Sequence, residues 1–200
     1  MKQCLFPFAL LYDGVTRCRN ALFDCGWLKE HTFAIPTICV GNLAVGGTGK
    51  TPHVEMIVGW LLDAGIKTAV LSRGYGRKTH GFRLLTARDS AESVGDEPLQ
   101  MFRRFKQQGN VSAVCEDRVK GIKCLTELCP QPEAIVLDDA YQHRYVKPGL
   151  NILLTEYARP FDRDFLLPMG RLREAARGAR RADVIIVTKC PPTLPESERQ

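Results

Sequence analysis

Short apolar, β-branched runs alternate with segments of helical period along most of this chain. Pro36-Thr37-Ile38-Cys39-Val40, Thr68-Ala69-Val70-Leu71-Ser72, Ser112-Ala113-Val114-Cys115, Ala134-Ile135-Val136-Leu137, Asn151-Ile152-Leu153-Leu154-Thr155 and Val184-Ile185-Ile186-Val187-Thr188-Lys189 read as strands, and Arg83-Leu84-Leu85-Thr86 as a short extra one. Between them, Val54, Ile57, Val58, Leu61 and Leu62 mark one face of a helix ending at Ala64-Gly65, with Gly65 as its cap. Gly95-Asp96-Glu97-Pro98 opens a helix from Leu99 to Gln108, and Val119, Ile122, Leu125 and Leu128 mark another. The segment from Leu166 leads into a helix rich in Arg171, Arg173, Arg177, Arg180 and Arg181, a run that is usually a solvated face. Strands alternating with helices predict an α/β fold, a mostly parallel sheet with right-handed crossovers and helices on its faces. No internal repeat or low-complexity linker interrupts it.

Residues 1–30 follow a different pattern and form a separate unit from the core expected over 31–200. From Leu5 to Leu28, the residues Phe8, Leu11, Tyr12, Val15, Cys18 and Leu22 recur at three- and four-residue steps, with Lys2, Arg17, Arg19 and Lys29 around them. The longest apolar stretch, Cys4 to Tyr12, is far short of the ~20 residues that span a bilayer, and no small-residue cleavage site follows it. A cationic amphipathic helix suits binding in the plane of a membrane, and the same periodicity suits a helix packed on its own domain. The pattern alone leaves both readings open.

Composition narrows the picture only slightly. Two hundred residues with 44% apolar content are enough for one α/β domain with a real core. The net charge of +6 favours an anionic partner without choosing among phosphate, a membrane surface and nucleic acid. The eight cysteines, Cys4, Cys18, Cys25, Cys39, Cys115, Cys124, Cys129 and Cys190, form no C-x-x-C pair and no zinc spacing, so they are expected to be reduced core thiols of a cytosolic protein.

The candidate chemistry begins at Gly41-Asn42-Leu43-Ala44-Val45-Gly46-Gly47-Thr48-Gly49-Lys50-Thr51, which lies between a strand and a helix as a phosphate-binding loop requires. Glycines let backbone N–H groups converge on phosphate oxygens, Lys50 supplies a mobile positive charge, and Thr51 supplies a hydroxyl for magnesium. The pattern G-x-x-x-x-G-K-[ST] is not met in full, because its first glycine is Ala44 here. Ala134–Leu137 then runs straight into Asp138-Asp139, the shape of a Walker B strand. Two carboxylates at the end of a buried strand repel each other unless a cation or donors offset them. Arg73-Gly74-Tyr75-Gly76-Arg77 leaves another strand at the edge where ligands of open α/β folds bind, although a surface turn has the same composition. Asp96 and Glu97 open a helix, where carboxylates also serve capping and the helix dipole.

Taken in order, these stretches resemble one family, the tetraacyldisaccharide 4′-kinases of lipid A biosynthesis. The resemblance is carried by Gly41-Asn42-Leu43 with Val45-Gly46-Gly47-Thr48-Gly49-Lys50-Thr51-Pro52, by Ser72-Arg73-Gly74-Tyr75-Gly76 and Gly95-Asp96-Glu97-Pro98, and by Asp138-Asp139 with Gln142-His143 and Leu167-Pro168 with Gly170 and Arg173-Glu174. It implies a P-loop kinase at the cytoplasmic face of the bacterial inner membrane, bound there through the N-terminal helix. Its reaction would move the ATP γ-phosphate to the 4′-hydroxyl of a tetraacyldisaccharide 1-phosphate, with Mg²⁺ and with no nucleic-acid partner. On this resemblance Ala44, Val45, Gly46, Gly47, Thr48, Gly49, Lys50 and Thr51 form the ATP loop, and Thr51, Asp138, Asp139 and Glu97 are the metal candidates. Lys50 and Asp96 are the catalytic pair, Asp96 as base on the acceptor hydroxyl. A carboxylate is a weak base, so that assignment calls for a histidine partner or a loose transition state. His143, Arg73, Arg118 and Arg171 are supporting groups for the site or for ATP and lipid phosphates.

The chain departs from the family in two respects. The family often has glycine where this chain has Ala140, a small change at negative φ and a costly one elsewhere. Its members also carry a second lobe, with a histidine that pairs with the motif aspartate, so this chain is expected to be a fragment or a truncated, impaired enzyme. Rival readings are another P-loop class acting on a soluble acceptor and a nucleotide-binding remnant without catalysis. Thr188-Lys189-Cys190 is similar to a guanine-reading segment, but no aspartate follows in the required place.

Overall fold

The structure, a computed structural model, describes residues 5–194; the sequence expectations that fall on Lys2 and Cys4 lie outside them. In chain order the elements are α1 (Phe6–Asp24), β1 (Thr37–Asn42), α2 (Lys50–Asp63), β2 (Thr68–Ser72), β3 (Arg83–Leu84), α3 (Ala91–Val94), α4 (Asp96–Phe105), β4 (Val111–Val114), α5 (Arg118–Leu128), β5 (Ala134–Asp138), β6 (Leu150–Glu156) and β7 (Val184–Thr188). The strands make one sheet in the order β3-β4-β2-β5-β1-β6-β7, parallel throughout except where β3 runs antiparallel to β4.

The unbroken apolar runs of β1, β2, β4 and β5 follow from cover on both faces of this sheet, whereas the apolar edge strand β7 is largely exposed. Successive side chains of a strand point to opposite sides, so neighbouring residues enter different cores. Cys39, Leu71, Ile135 and Leu137 join Ile122 and Leu125 of α5 on one side. Val40, Val70 and Val136 join Val54, Ile57 and Val58 of α2 and Met101 and Phe105 of α4 on the other. β1 pairs with β5 although most of the domain separates them in sequence, and Val40 lies opposite Asp138. Near the end of β1, a Cβ built on Gly41 would come 2.6 Å from Cβ of Tyr141, so glycine is what lets the chain leaving β5 close over β1.

Some elements differ from the sequence expectation. The four-residue α3, opened by a reciprocal Ser90–Ser93 capping box, precedes α4, and Gly95 at φ +93° separates the two. The arginine-rich segment is not a helix over its first part. Leu172 bridges Ala44, and Val45 N–H and Arg173 N–H donate to the carbonyls of Arg171 and Leu43, so backbone groups a helix needs are used on the phosphate loop. Only Ala176–Arg181 turns, as a 3₁₀ helix. The cysteines correct another expectation: Cys39 and Cys115 are buried, but Cys18, Cys25 and Cys190 are exposed, and none described is disulfide-bonded.

Helix α1 lies against the domain through a small and polar face. Ala9, Asp13 and Phe23 are buried, Tyr12 OH donates to Arg173 O at 2.7 Å, and Asn20 Nδ2 donates to Glu174 at 3.2 Å. Its large apolar residues Phe6, Phe8, Leu10, Leu11 and Val15 point to solvent. No described helix is long and apolar enough to cross a membrane.

Candidate active site

The loop from β1 to α2 is built from both sides. Its outer limb is fixed where Val45 N–H donates to Arg171 O, which leaves the Ala44–Val45 stretch engaged with protein instead of open to a ligand. Its inner limb is fixed by Asn42, whose Nδ2 donates to Thr48 Oγ1 at 2.7 Å, and by Thr188, whose hydroxyl donates to Thr48 O at 3.0 Å. Gly46 and Gly49 take φ of +113° and +83°, and Gly49 caps the start of α2. Among the described residues the N–H groups of Gly46, Gly47 and Gly49 have no acceptor within the chain. With the first turn of α2 they form an anion-binding concavity in which backbone amides and the helix dipole act together.

The pairing of β1 with β5 brings the acidic pair to this loop. Asp139 N–H donates to Val40 O at 3.0 Å, so the two carboxylates sit beside the end of β1. Lys50 Nζ lies 3.6 Å from Asp139 Oδ1 and 3.4 Å from Asn42 Oδ1. Arg173 Nη1 donates to both Asp139 oxygens, at 3.1 and 3.0 Å. Asp139, expected as a metal ligand, is therefore engaged by two cations and holds Lys50 in place. It sits at φ +48°, whereas Ala140 is not at positive φ, so a methyl at that position, where a glycine was the expected alternative, meets no backbone strain.

Asp138 is different. Ser72 Oγ donates to its Oδ2 at 2.9 Å, while its buried Oδ1 has no hydrogen-bond partner. Burial pushes this carboxyl up to about 6, the Ser72 bond opposes the shift, Asp139 and Glu97 add to it, and Lys50 counters it. An orphaned carboxylate oxygen beside a phosphate loop suits a cation or its water. No group of three or more His, Cys, Asp or Glu that could hold a metal occurs among the described residues. Mg²⁺ does not require one, since it takes one or two protein oxygens together with phosphates and water. The Thr51 hydroxyl and Asp138 Oδ1 fit that demand.

Arg118 corrects a sequence expectation. It is only 2% exposed, and its guanidinium donates to the carbonyls of Cys115, Glu116 and Asp138, so it is a strut beneath Asp138 and offers no surface to a phosphate. Its backbone N–H donates to His143 Nε2 at 3.3 Å. Burial, reinforced by the Arg118 charge, lowers the His143 pKa from 6.5 to about 4. A depressed value means the neutral ring stabilises the fold above about 6.5, and that contribution is lost as pH falls through about 4. Asp138, with its raised value, acts in the opposite sense over part of this window. Urea unfolding of the wild type and His143→Gln at several pH values isolates the histidine: the stability gap should shrink as pH falls from 6.5 to 4. Parallel curves would contradict it.

The other candidates surround this centre. Arg171 Nε and Nη1 are bound by Asp164 and Glu156, at 3.1 and 3.4 Å, with the guanidinium edge facing Gly46. Arg73 is exposed at the end of β2, near enough for its charge to act on Arg118 and His143. Asp96 and Glu97 are exposed in the first turn of α4. A Cβ on Gly95 would meet Tyr75 O at 2.9 Å, so glycine seats this turn against the loop leaving β2. Glu97 is close enough for its charge to reach Asp138. Asp96 makes no hydrogen bond or ion pair with the phosphate loop among the described residues, and lines a shallow hollow with Asp89, Gln100 and Arg103.

Several residues that complete the arrangement had no role in the sequence reading. Asn42 and Ser72 end strands with a polar group where the sheet edge begins, and both stand, like Gln142, in stretches that carry the family resemblance. Gln142 Nε2 donates to Asn42 O at 2.7 Å, and Lys189, at φ +56°, places its ammonium on Gly47 O and Glu156.

Over residues 1–200 the chain matches the family described as Tetraacyldisaccharide-1-P 4'-kinase. It is similar to the Tetraacyldisaccharide 4'-kinase of Flavobacterium psychrophilum, with 52% identity over 98% of this chain and 56% of the relative. The protein of the same name from Parabacteroides distasonis is 55% identical over 94% of this chain and 51% of the relative. A crystal structure of the "apo" form of LpxK from Aquifex aeolicus in complex with ATP superposes with a TM-score of 0.85 at 38% identity, over 94% of this chain and 59% of that one. The chain spans about half the length of the curated relatives it matches.

Proposed function

Because the chain belongs to the Tetraacyldisaccharide-1-P 4'-kinase family, we propose that it carries the nucleotide-binding and phosphoryl-transfer machinery of an ATP-dependent lipid kinase. The acceptor is the 4′-hydroxyl of a tetraacyldisaccharide 1-phosphate. One observation supports this reading above the others: Lys50, 3.6 Å from Asp139, shares a sheet edge with the orphaned Asp138 oxygen and the free amides of Gly46, Gly47 and Gly49.

In this reading the amides and Lys50 hold the triphosphate in one orientation, and positioning and charge stabilisation account for most of the catalysis. Thr51 and Asp138 would hold Mg²⁺, which supplies charge neutralisation at the phosphate oxygens. Asp139, pinned by Arg173, keeps Lys50 aimed along the loop. Asp96 takes the proton of the acceptor hydroxyl, a light task in a loose transition state. Arg171, whose carbonyl accepts from Val45 N–H, braces the loop and would present its guanidinium edge to the phosphates. The test is transfer of labelled γ-phosphate from ATP to the disaccharide lipid by the 200-residue chain and by a relative of full length. Labelled lipid in both supports the reading for this chain. Activity in the relative alone makes the chain a nucleotide-binding half, and tight ATP binding without lipid phosphorylation in either favours another P-loop class.

The acceptor is a lipid, and α1 offers a way to meet it. Five large apolar residues, Phe6, Phe8, Leu10, Leu11 and Val15, stand on its solvent side with Arg17 and Arg19 further along, an arrangement that suits the plane of a membrane interface. Leu11→Glu with Val15→Glu should abolish co-flotation with phospholipid vesicles at unchanged thermal stability. Flotation equal to the wild type would exclude this face as the membrane contact.

A further inference from the structure

The amides of the phosphate loop can face a ligand only if the carbonyls of the same peptides are held elsewhere. In a trans peptide the C=O and the N–H that follows it point in opposite directions. Whatever binds the carbonyl of one residue therefore aims the N–H of the next. Gly46, Gly47 and Gly49 give this loop more backbone freedom than ordinary residues would, so partners outside it must set those directions.

Two such partners stand at the end of β7. The buried Thr188 hydroxyl reaches Thr48 O at 3.0 Å, which turns Gly49 N–H, in the same peptide, to the opposite side. The next residue, Lys189, lays its ammonium on Gly47 O, which turns Thr48 N–H the other way, onto Gly46 O at 3.1 Å. Lys189 sits at φ +56°, a conformation that glycine would hold without strain, so a lysine there points to a task for its side chain. That side chain is 57% exposed, and its ion pair is worth little to the fold as a whole.

The second partner of the ammonium is Glu156, which stands opposite Thr188 in the β6–β7 register. Glu156 also accepts from Arg171 Nη1 at 3.4 Å, and Arg171 O accepts from Val45 N–H at 2.7 Å. One carboxylate thus ties together the two cations that hold the loop, one at Val45 and one at Gly47. We propose that Lys189 is a positioning residue for the triphosphate: it touches the loop and not the ligand, and it keeps the Gly47–Thr48 peptide turned so that the amides are set before ATP arrives. The assignment rests on the kinase reading. Its effect is preorganisation, since a loop already ordered loses less freedom on binding.

The test uses the whole 200-residue chain with Lys189→Met, which keeps an unbranched stem, and Lys189→Gly, which also removes the strain at φ +56°. Calorimetry measures binding of Mg²⁺-ATP and of Mg²⁺-tripolyphosphate, which has no nucleoside. NMR measures amide hydrogen exchange in the empty chain. Both variants should bind both probes roughly tenfold more weakly, and exchange at Thr48 and Gly49 should quicken about tenfold while the strands keep their protection. Wild-type affinity in either variant overturns the assignment. A loss confined to ATP places Lys189 on the nucleoside, and weaker binding of both probes with unchanged exchange makes it a direct phosphate ligand; each outcome overturns the positioning role. A wild type that binds neither probe overturns the kinase reading and the assignment together.

Discussion

Lys50→Ala is expected to lower phosphoryl transfer by roughly 10³-fold, the scale seen when a preorganised charge on a developing anion is removed. The ammonium has few contacts of its own, Asn42 at 3.4 Å and Asp139 at 3.6 Å. Asp139 keeps Arg173 without it, whereas the buried Asn42 Oδ1 loses that donor, while Asn42 Nδ2 keeps Thr48. The fold should survive, and urea unfolding should move by about 1–3 kcal/mol, the cost of one buried acceptor left without its donor. Initial rates with ATP and the disaccharide lipid check the catalytic half of this expectation. Turnover close to wild type in a correctly folded variant would remove Lys50 from the phosphate site.

Asp96→Asn should reduce kcat by roughly 10²- to 10⁴-fold, the range for loss of a positioned general base, with ATP affinity largely kept. The separation of the two effects follows from placement. Asp96 stands on α4, against the loop leaving β2, and has no bond to the phosphate loop. Its neighbour Glu97 acts on Asp138 through charge. Calorimetric ATP titration beside steady-state kinetics distinguishes the outcomes. A fall in ATP affinity equal to the fall in kcat would make Asp96 a nucleotide or metal ligand.

The sequence makes the buried half of this molecule easy to read. β2 and β5 are covered on both faces, so their residues are apolar apart from Thr68, Ser72 and Asp138 at the strand ends, and the run in the sequence is the direct trace of that cover. The phosphate loop is legible for a related reason, since its backbone conformation demands glycine at fixed offsets. Strand order leaves no such trace. That β1 lies beside β5, the fact that brings Lys50 to Asp139, depends on packing between segments far apart in the chain.

Arginine is where residue type says least. Arg118 follows a strand much as a ligand-binding cation would, yet it is buried under Asp138. Arg173 reads as part of a solvated helix, yet it holds the second aspartate, because Leu172 and its neighbours pair with the phosphate loop instead of forming helical hydrogen bonds. The periodicity of α1 is genuine, but its apolar stripe faces outward while Ala9, Asp13 and Phe23 take the domain side. A period identifies a helix; which side meets the domain is decided by partners such as Arg173 O and Glu174.

A crystal structure of the chain with Mg²⁺ and a non-hydrolysable ATP analogue tests the assembly of Lys50, Thr51 and Asp138 most directly. The γ-phosphate should lie within hydrogen-bonding reach of Lys50 Nζ and the Gly46–Gly49 amides, with the cation between it and Asp138 Oδ1. A triphosphate bound away from that loop, or a cation held without Asp138 or Thr51, would contradict the arrangement on which the kinase reading depends.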